Sequence, residues 1–314
     1  RRLLERIFWI IKMKNTFRGV FTAMITPFTE YNTVDYISLE RMVEAQISAG
    51  IDGLVPCGTT GESPTLSHEE HDRVIAQTIR YAKGRVPVIA GTGSNATNEA
   101  IRLSQHAQDA GVDAVLLVNP YYNKPTQKGL YLHFKAIADS VSVPCILYNI
   151  KGRTGVNLET ETLLRLEAEC PNIVAVKEAS GSLDQMSCVI SSTENEFSVR
   201  SGDDNLTLDL IKRGGDGVIS VASNLFPSEM VKMTHAALSG DFETAEKYNK
   251  WFSDFFKVCF VETNPIPIKT AMAKEGYCKE IFRLPLCTLE KEEHRNQLDS
   301  VIDKKKKKKK EGRI

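Results

Sequence analysis

The stretch NIVAVKEAS, residues 172–180, joins a short apolar run to a lysine. From Ile173 to Val176 the run is wholly apolar, which is typical of a parallel strand covered on both faces. Lys177 follows directly. Because lysine is almost never fully buried unless it is paired or has a chemical role, its place at the end of such a strand requires an explanation.

Similar apolar runs recur through the chain, and helical patterns lie between most of them. Two of these patterns, 38–50 and 95–111, end on glycine, and Ser67 with Glu70 forms a capping box for another helix. With 172–180 there are eight runs, the others being 19–28, 50–58, 86–93, 112–120, 143–149, 197–204 and 216–223. Strand and helix alternating eight times predict the α/β class and a (β/α)8 TIM barrel.

The domain organisation follows from this alternation. We expect the barrel to occupy residues 13–226, and the eighth barrel helix with a C-terminal helical bundle to occupy 227–300. Residues 1–12 are expected to be a non-native or disordered leader upstream of a natural start at Met13. Residues 301–314, with the run DKKKKKKKEGRI, are expected to be a disordered, solvated tail, with a polyanion-binding arm as the alternative.

The composition narrows the class of protein. The chain has 314 residues, 42% of them hydrophobic and 25% charged, and its formal net charge is zero, so nothing global indicates nucleic acid or acidic lipid as a partner. Seven cysteines without a CxxC pair favour a reducing compartment over a disulfide framework or a zinc cluster. No apolar run approaches the ~18 residues of a membrane helix. We therefore expect a cytoplasmic protein, or a plastid one if the source is a plant or an alga.

The barrel also predicts where the chemistry lies, because active sites of this fold form at the carboxyl ends of the strands. Polar side chains stand at five of those ends: Thr59, Thr60, Tyr121, Tyr122, Tyr148, Arg153, Lys177, Asp203 and Asp204. These residues are distant in sequence, yet the fold would gather them at one mouth.

Lys177 has a specific chemical use at such a mouth. Desolvation lowers the pKa of a lysine, and the neutral amine can attack a ketone or aldehyde to form an imine. This chemistry needs no metal and no organic cofactor. The alternative is a structural ion pair, for which Glu178 is a poor partner because adjacent strand residues point to opposite faces.

The other polar residues suit the same reaction. Backbone N–H groups of the turn GTTGE (58–62) could hold a carboxylate, and Arg153 could grip a second one. Thr59, Tyr122 and Tyr148 could relay protons. Each also has a non-catalytic interpretation. GTTGE could be only a turn, the tyrosines could be core or interface residues, and Arg153 could be a surface charge. Their joint placement at strand ends favours the catalytic one.

From Met13 to about residue 300 the chain resembles the pyruvate-dependent Schiff-base class I aldolase family. The matching segments, several of them long and in the right order, are GTTGES (58–63), PVIAGTGSNAT (87–97), NPYYNKPTQ (119–127), ILYN with RTG (146–155), VAVKEASG (174–181), SGDD (201–204), GVISV (217–221) and NPIPIK (264–269).

The resemblance implies condensation of pyruvate with aspartate semialdehyde, the first committed step toward diaminopimelate and lysine, with a covalent imine and no separate cofactor. It implies Lys177 as the nucleophile and a relay of Thr59, Tyr148 and a Tyr122 that comes from a neighbouring subunit of a homotetramer, a dimer of dimers. Pyruvate would be held by Thr60 with backbone near Gly202 and Ile219, and the semialdehyde by Arg153.

The resemblance also implies a site where L-lysine binds at a subunit interface and inhibits. The matching positions are Ser63, Pro64, Leu66, His68, His71, Asn95, Glu99 and Tyr121. The HxxH spacing of His68 and His71 admits a metal site as a remote alternative, and a plain first helical turn is the third interpretation.

One departure and several rival functions remain. The family pattern YNxPxRTG reads YNIKGRTG here, so Lys151 replaces a proline and adds a charge near Arg153. The rivals are another lyase of the family such as N-acetylneuraminate lyase, a non-catalytic lysine-binding barrel, and a polyanion-binding protein. The second threonine of GTTGE, the YYNKP segment and Arg153 disfavour the first rival, and the intact relay set disfavours the second.

Overall fold

The computed structural model describes residues 17–193 and 196–314, and the predicted leader over 1–12 lies outside them. Within the described residues, each of the eight predicted apolar runs contains a strand, shorter than the run itself. The strands are β1 (Gly19–Ala23), β2 (Gly53–Val55), β3 (Ile89–Gly91), β4 (Ala114–Val118), β5 (Cys145–Asn149), β6 (Ile173–Glu178), β7 (Ser198–Ser201) and β8 (Gly217–Ser220).

The strands form one parallel sheet that curls into a barrel. Their order is β2-β1-β8-β7-β6-β5-β4-β3, so the sheet places sequence neighbours side by side and pairs β1 with β8. The edges meet where Leu54 of β2 bridges Val88, just before β3, and the Leu54 N–H donates to the Pro87 carbonyl at 3.0 Å. The predicted (β/α)8 barrel is confirmed.

Helices follow the strands in chain order and cover the outside of the barrel. The capping box predicted for Ser67 and Glu70 is present at the start of α2, and Gly111 ends α3 in the left-handed conformation that glycine adopts most readily. The helices are α1 (Tyr36–Ser48), α2 (His68–Ala82), α3 (Thr97–Ala110), α4 (Gln127–Ser140), α5 (Lys151–Thr154), α6 (Thr160–Glu169), α7 (Leu183–Ser192), α8 (Thr207–Lys212), α9 (Pro227–Leu238), α10 (Phe242–Val258), α11 (Ile266–Lys274) and α12 (Glu292–Lys310).

Two apolar cores result from the alternation of side chains along each strand. A smaller cluster that includes Phe21, Ile146 and Ile219 fills the barrel. A larger cluster, with Val20 and Val218 among its members, packs the outer face of the strands against the helices. Since both faces are covered, most strand residues are apolar on both faces instead of alternating with polar ones. The polar exceptions, such as Lys177 of β6 and Arg200 of β7, are buried as well.

The lysine-rich tail, residues 301–314, was predicted to be disordered but is mostly helical in the structure. The structure shows no disordered, solvated segment there, because α12 continues to Lys310 and packs against α10 and α11. Leu298 and Ile302 are fully buried on one face of this helix, and Lys305 follows them at helical spacing with its amine on Asp254 and on the carbonyl of Trp251. Burial of that face and pairing with acids order a segment whose composition alone predicts disorder.

All seven cysteines are unpaired. None of the helices in the described part of the chain is long and apolar enough to span a membrane.

Candidate active site

Lys177 lies inside the barrel, near the carboxyl end of β6. Its side chain is only 7% exposed, and its Cα is the register partner of Tyr148 on β5. The Lys177 Nζ lies 4.0 Å from the centroid of the Tyr148 ring. The strand register therefore places Lys177 beside Tyr148, a contact that the sequence alone cannot show.

Lys177 differs from the buried lysines Lys269 and Lys305, each of which forms an ion pair with an acid. Lys269 is fully buried and forms an ion pair with Glu62 at 2.5 Å. Lys305, 2% exposed, is paired with Asp254. Within the described residues, by contrast, the Lys177 amine has no carboxylate within ion-pair distance and no hydrogen-bond acceptor. The structural ion pair is therefore not what holds Lys177 in place here.

Glu178 points to the opposite face of β6, as expected for adjacent strand residues. Its carboxylate accepts hydrogen bonds from the Asn149 amide at 3.2 Å, from the Ser180 backbone N–H at 2.8 Å and from the Gln185 amide at 3.2 Å. Burial raises its pKa in spite of these donors. Glu178 thus stabilises the loops around the strand ends, and among the described contacts it forms no ion pair with Lys177.

Gly202 lies against the lysine side chain. A Cβ added there would come within 3.1 Å of the Lys177 Cε and 2.5 Å of the Ala179 Cβ, so a larger residue would push on the lysine. The Gly202 N–H already donates to the Glu178 carbonyl at 2.8 Å and is not free for substrate. Ile219, fully buried, belongs to the cluster inside the barrel that also contains Tyr148.

The two aspartates after β7 differ in role. Asp204 is buried and accepts from the backbone N–H groups of Val221 at 3.0 Å and Ala222 at 2.8 Å, which fixes the loop after β8. Asp203 is half-buried, and burial raises the pKa of its carboxyl although the charge of Lys177 acts to lower it. Asp203 is therefore near the lysine without forming an ion pair with it.

The turn GTTGE presents two unused donors. The N–H groups of Gly61 and Glu62 donate within the turn, to the carbonyls of Gly58 and Thr59, both at 3.1 Å. Among the described residues, nothing accepts from the N–H groups of Thr59 and Thr60. Adjacent free N–H groups of this kind form a cradle for an anion.

Tyr121 and Tyr122 lie outside the barrel interior. Tyr122 is 89% exposed and has a φ of 75°, a conformation that is uncommon for a large residue. In the described chain, the hydroxyls of Thr59, Tyr122 and Tyr148 make no hydrogen bond with one another. A single chain thus brings Tyr148 to Lys177 but leaves Tyr122 at the surface.

Arg153 lies in the short helix α5, after β5. Its Nη2 donates to the backbone carbonyl of Asn264 at 3.1 Å, and the side chain is otherwise exposed to solvent. Lys151, which replaces the proline of the family pattern, is the first residue of the same helix and is exposed. The proline is thus not required for this loop to form a helical turn around Arg153.

Sequence reasoning missed a set of residues that hold the GTTGE turn from the C-terminal side. Glu62, the last residue of the turn, pairs with Lys269 and accepts from the backbone N–H of Arg283 at 3.3 Å. Asn264 donates from its Nδ2 to the Thr60 hydroxyl at 3.0 Å. The segment NPIPIK (264–269) was a visible signal, since it matched the family, but its contacts depend on how the chain returns to the barrel mouth.

Most of the residues predicted to bind lysine lie in short networks of local contacts. His68 Nε2 lies 2.8 Å from Glu99, whose carboxylate also accepts from Ser94, and these contacts hold the pKa of Glu99 below its usual value. Asn95 donates to the Tyr121 carbonyl at 3.1 Å. Ser63 and Pro64 begin the short 3-10 helix that directly follows GTTGE, and Leu66 is buried behind it.

His71 belongs to a different environment from His68. It is buried, its Nε2 lies 2.8 Å from the carbonyl of Gly91, and burial lowers its pKa. The two histidines therefore contact different partners. In the part of the chain that the structure describes, no group of three His, Cys, Asp or Glu side chains is arranged to hold a metal ion.

An α/β barrel with an unpaired, buried lysine at its carboxyl mouth is typical of enzymes that form an imine with a carbonyl substrate. The comparison with known families makes this more specific: the profile of the dihydrodipicolinate synthetase family matches residues 16–305. The chain belongs to this family and is a lyase.

Relatives and solved structures agree on the family. The chain is 51% identical to the 4-hydroxy-tetrahydrodipicolinate synthase of Endomicrobium trichonymphae, over 91% of this chain and 97% of that one. It is 49% identical to the crystal structure of dihydrodipicolinate synthase from Aquifex aeolicus, with a TM-score of 0.90 over 92% of this chain and 98% of that one. The crystal structure of the enzyme from Cyanidioschyzon merolae with lysine bound is 39% identical, with a TM-score of 0.90 over 95% of this chain and 99% of that one.

Proposed function

We propose that this protein condenses pyruvate with L-aspartate 4-semialdehyde to give 4-hydroxy-tetrahydrodipicolinate, through an imine on Lys177. The observation that carries this proposal is that Lys177, at the carboxyl mouth of the barrel, is unpaired within the described residues, whereas the buried Lys269 and Lys305 have acid partners. The names of relatives about half identical over nine-tenths of the chain support the choice of substrates.

The first half of the reaction builds the nucleophile. The neutral amine of Lys177 attacks the ketone carbon of pyruvate, and loss of water gives a protonated imine. The imine withdraws electrons from the adjacent methyl group, which loses a proton and leaves an enamine. Tyr148 and Ile219 belong to one apolar cluster inside the barrel, which limits the access of water to the imine on Lys177.

In the second half, the enamine carbon attacks the aldehyde of the semialdehyde and forms the new carbon–carbon bond. The amino group of the semialdehyde then attacks the imine carbon, closes the ring and releases the Lys177 amine. These steps need proton transfers at the lysine and at the new hydroxyl, but they need no metal and no organic cofactor. Tyr148 is placed to serve them because its ring lies directly under the lysine amine.

Two groups suit the two substrate carboxylates. The free N–H groups of Thr59 and Thr60 would hold the carboxylate of pyruvate. Arg153, fixed on the Asn264 carbonyl with the rest of its guanidinium in solvent, would hold the carboxylate of the semialdehyde. The two groups would place the substrates on either side of the Lys177 amine.

The relay requires a second chain. We assign Tyr122 to the active site of a neighbouring subunit within a homotetramer built from two dimers, because it is 89% exposed in the single chain and held at a φ of 75°. A monomeric variant is known among the solved relatives, so the assembly needs its own test. Cytoplasmic location likewise stays a prediction.

Subunit mixing tests the relay directly. Homomeric Lys177→Ala and Tyr122→Ala proteins should each be nearly inactive. Mixing them under conditions that exchange subunits should restore activity, because a Tyr122→Ala subunit keeps its lysine and receives a tyrosine from its partner. If mixtures stay inactive although native mass spectrometry shows hybrids, Tyr122 does not act across subunits.

Imine trapping tests the central proposal. The protein is incubated with pyruvate, reduced with borohydride and mapped by mass spectrometry, and the adduct is expected on Lys177 alone. A coupled assay with aspartate semialdehyde and a parallel assay with N-acetylneuraminate then separate the synthase from the sialic-acid lyase. An adduct on another residue would overturn the mechanism, and absence of any adduct would favour the non-catalytic lysine-binding barrel.

We also propose that L-lysine inhibits the enzyme at the surface formed by His68, Glu99, Asn95 and Tyr121. Glu99 supplies a carboxylate that its neighbours keep ionised, and the short helix from Ser63 connects this surface directly to GTTGE. Lysine at millimolar concentration should lower the rate of the wild type and leave Glu99→Gln nearly unaffected. An unchanged wild-type rate would exclude inhibition, and equal inhibition of both proteins would move the site elsewhere.

A further inference from the structure

Asn264 lies between the two groups that we assign to the two substrates. Its side chain donates from Nδ2 to the Thr60 hydroxyl at 3.0 Å, and its backbone carbonyl accepts from the Arg153 guanidinium at 3.1 Å. Asn264 is 5% exposed and Thr60 is 3% exposed, so the contact between these two side chains is shielded from water. One residue therefore contacts both groups, with its side chain on one and its backbone on the other.

The direction of the bond to Thr60 decides where the threonine proton points. A hydroxyl has a single proton and two acceptor lone pairs. The Asn264 amide takes up one lone pair, and among the described residues nothing accepts the Thr60 proton. The proton is thus available to an acceptor that arrives at the turn, beside the unused N–H groups of Thr59 and Thr60.

The segment that carries Asn264 is firmly held. The ion pair of Lys269 with Glu62 joins the start of α11 to the end of the same turn, and Lys269 also lies 4.1 Å from the centroid of the Phe28 ring. The Asn264 Oδ1 is buried and has no hydrogen-bond partner in the described chain. A buried polar atom left unpaired costs free energy, which favours a functional role for the residue over a purely structural one.

We infer that Asn264 is a positioning residue. It orients the Thr60 hydroxyl so that the hydroxyl donates a hydrogen bond to the carboxylate of the keto acid. This inference rests on the proposed function. Its side chain acts on the keto acid alone, because the contact to Arg153 is made by the backbone and survives any change of side chain.

The test is a pair of substitutions. Asn264→Ala removes the donor, and Asn264→Asp replaces it with an acceptor of the same shape that captures the Thr60 proton. We expect the KM for pyruvate to rise about tenfold in Asn264→Ala, since a hydrogen bond to a charged group is lost, and further in Asn264→Asp. The KM for the semialdehyde should stay within about twofold of the wild type in both proteins.

A double-mutant cycle with Thr60→Val separates positioning from general damage. If Asn264 acts through Thr60, Asn264→Ala should raise the pyruvate KM little further once the hydroxyl is gone. Asn172→Asp is a matched control, because its amide also donates to protein acceptors, the carbonyls of Ala138 and Val141, but at the amino end of β6. This control should leave both KM values unchanged.

The possible outcomes are distinct. Unchanged pyruvate KM in Asn264→Asp, equal rises in both KM values, or additive effects in the cycle would each overturn the inference. Failure of the proposed function is recognised separately, since the wild type itself would then form no imine on Lys177. Imine trapping at saturating pyruvate also shows whether each variant keeps a folded site.

Discussion

The Lys177 amine lies 4.0 Å from the centre of the Tyr148 ring, on the neighbouring strand and in register with it. The ring covers one side of the amine while the glycine at position 202 leaves room on another. This arrangement keeps the lysine in an apolar environment and places a hydroxyl-bearing residue in contact with it.

Tyr148→Phe should separate these two contributions. The ring remains and the hydroxyl is lost, so imine formation should persist while kcat falls about a hundredfold or more through loss of proton transfer. The measurement is kcat together with borohydride trapping by pyruvate. An unchanged kcat would remove Tyr148 from the relay.

The buried pair of Glu62 and Lys269 should be costly to break on one side only. Lys269→Met leaves a buried carboxylate without its partner, and we expect the free energy of unfolding to fall by about 3–5 kcal/mol. Glu62→Gln combined with Lys269→Met should recover much of that loss. Urea denaturation measures both proteins. A larger loss in the double variant would show that each residue stabilises the turn independently.

The C-terminal helix gives a matched pair of lysines. Lys305 is buried against Asp254 and Trp251, whereas Lys307 is exposed on the same helix. Lys305→Ala should lower the free energy of unfolding by about 1–3 kcal/mol because Asp254 and the Trp251 carbonyl lose a partner. Lys307→Ala should leave it unchanged. Equal effects of the two substitutions would indicate that this helix does not pack as described.

Acid should weaken the contact between α2 and the C-terminal segment. Hydrogen bonds from Arg283 hold the pKa of Glu70 below its ordinary value of 4.5, so this carboxylate contributes stability that is present above that value. The contribution is lost as the pH falls through the lowered pKa, when the folded state must also take up the proton.

Glu70→Gln checks this pH dependence. The variant should be less stable than the wild type at neutral pH, and the difference between the two should shrink as the pH falls below 4.5. Urea denaturation at a series of pH values measures it. A difference that stays constant down to acid would assign the effect of Glu70 to packing or to its cap on Ser67.

Much of the candidate site could be read from the sequence because its parts are local. Eight continuous apolar runs, a lysine on the sixth and a GTTGE turn after the second are visible in short segments, and the barrel rule alone places their ends at one mouth. The opposite orientation of Lys177 and Glu178 also follows from the period of a strand.

Other features required the three-dimensional structure because they join segments far apart in the chain. Asn264 reaches Thr60 across 204 residues, and Lys269 reaches Glu62 across 207, so no local pattern could reveal either contact. The lysine run was predicted to be disordered because charge density argues against burial, yet acids on α9, on α10 and just after α11 receive several of its amines. By itself, the sequence determined the barrel and singled out Lys177, the lysine that we propose as the nucleophile. Tertiary structure decided which lysines are paired, because an ion pair depends on a partner that only folding brings within reach.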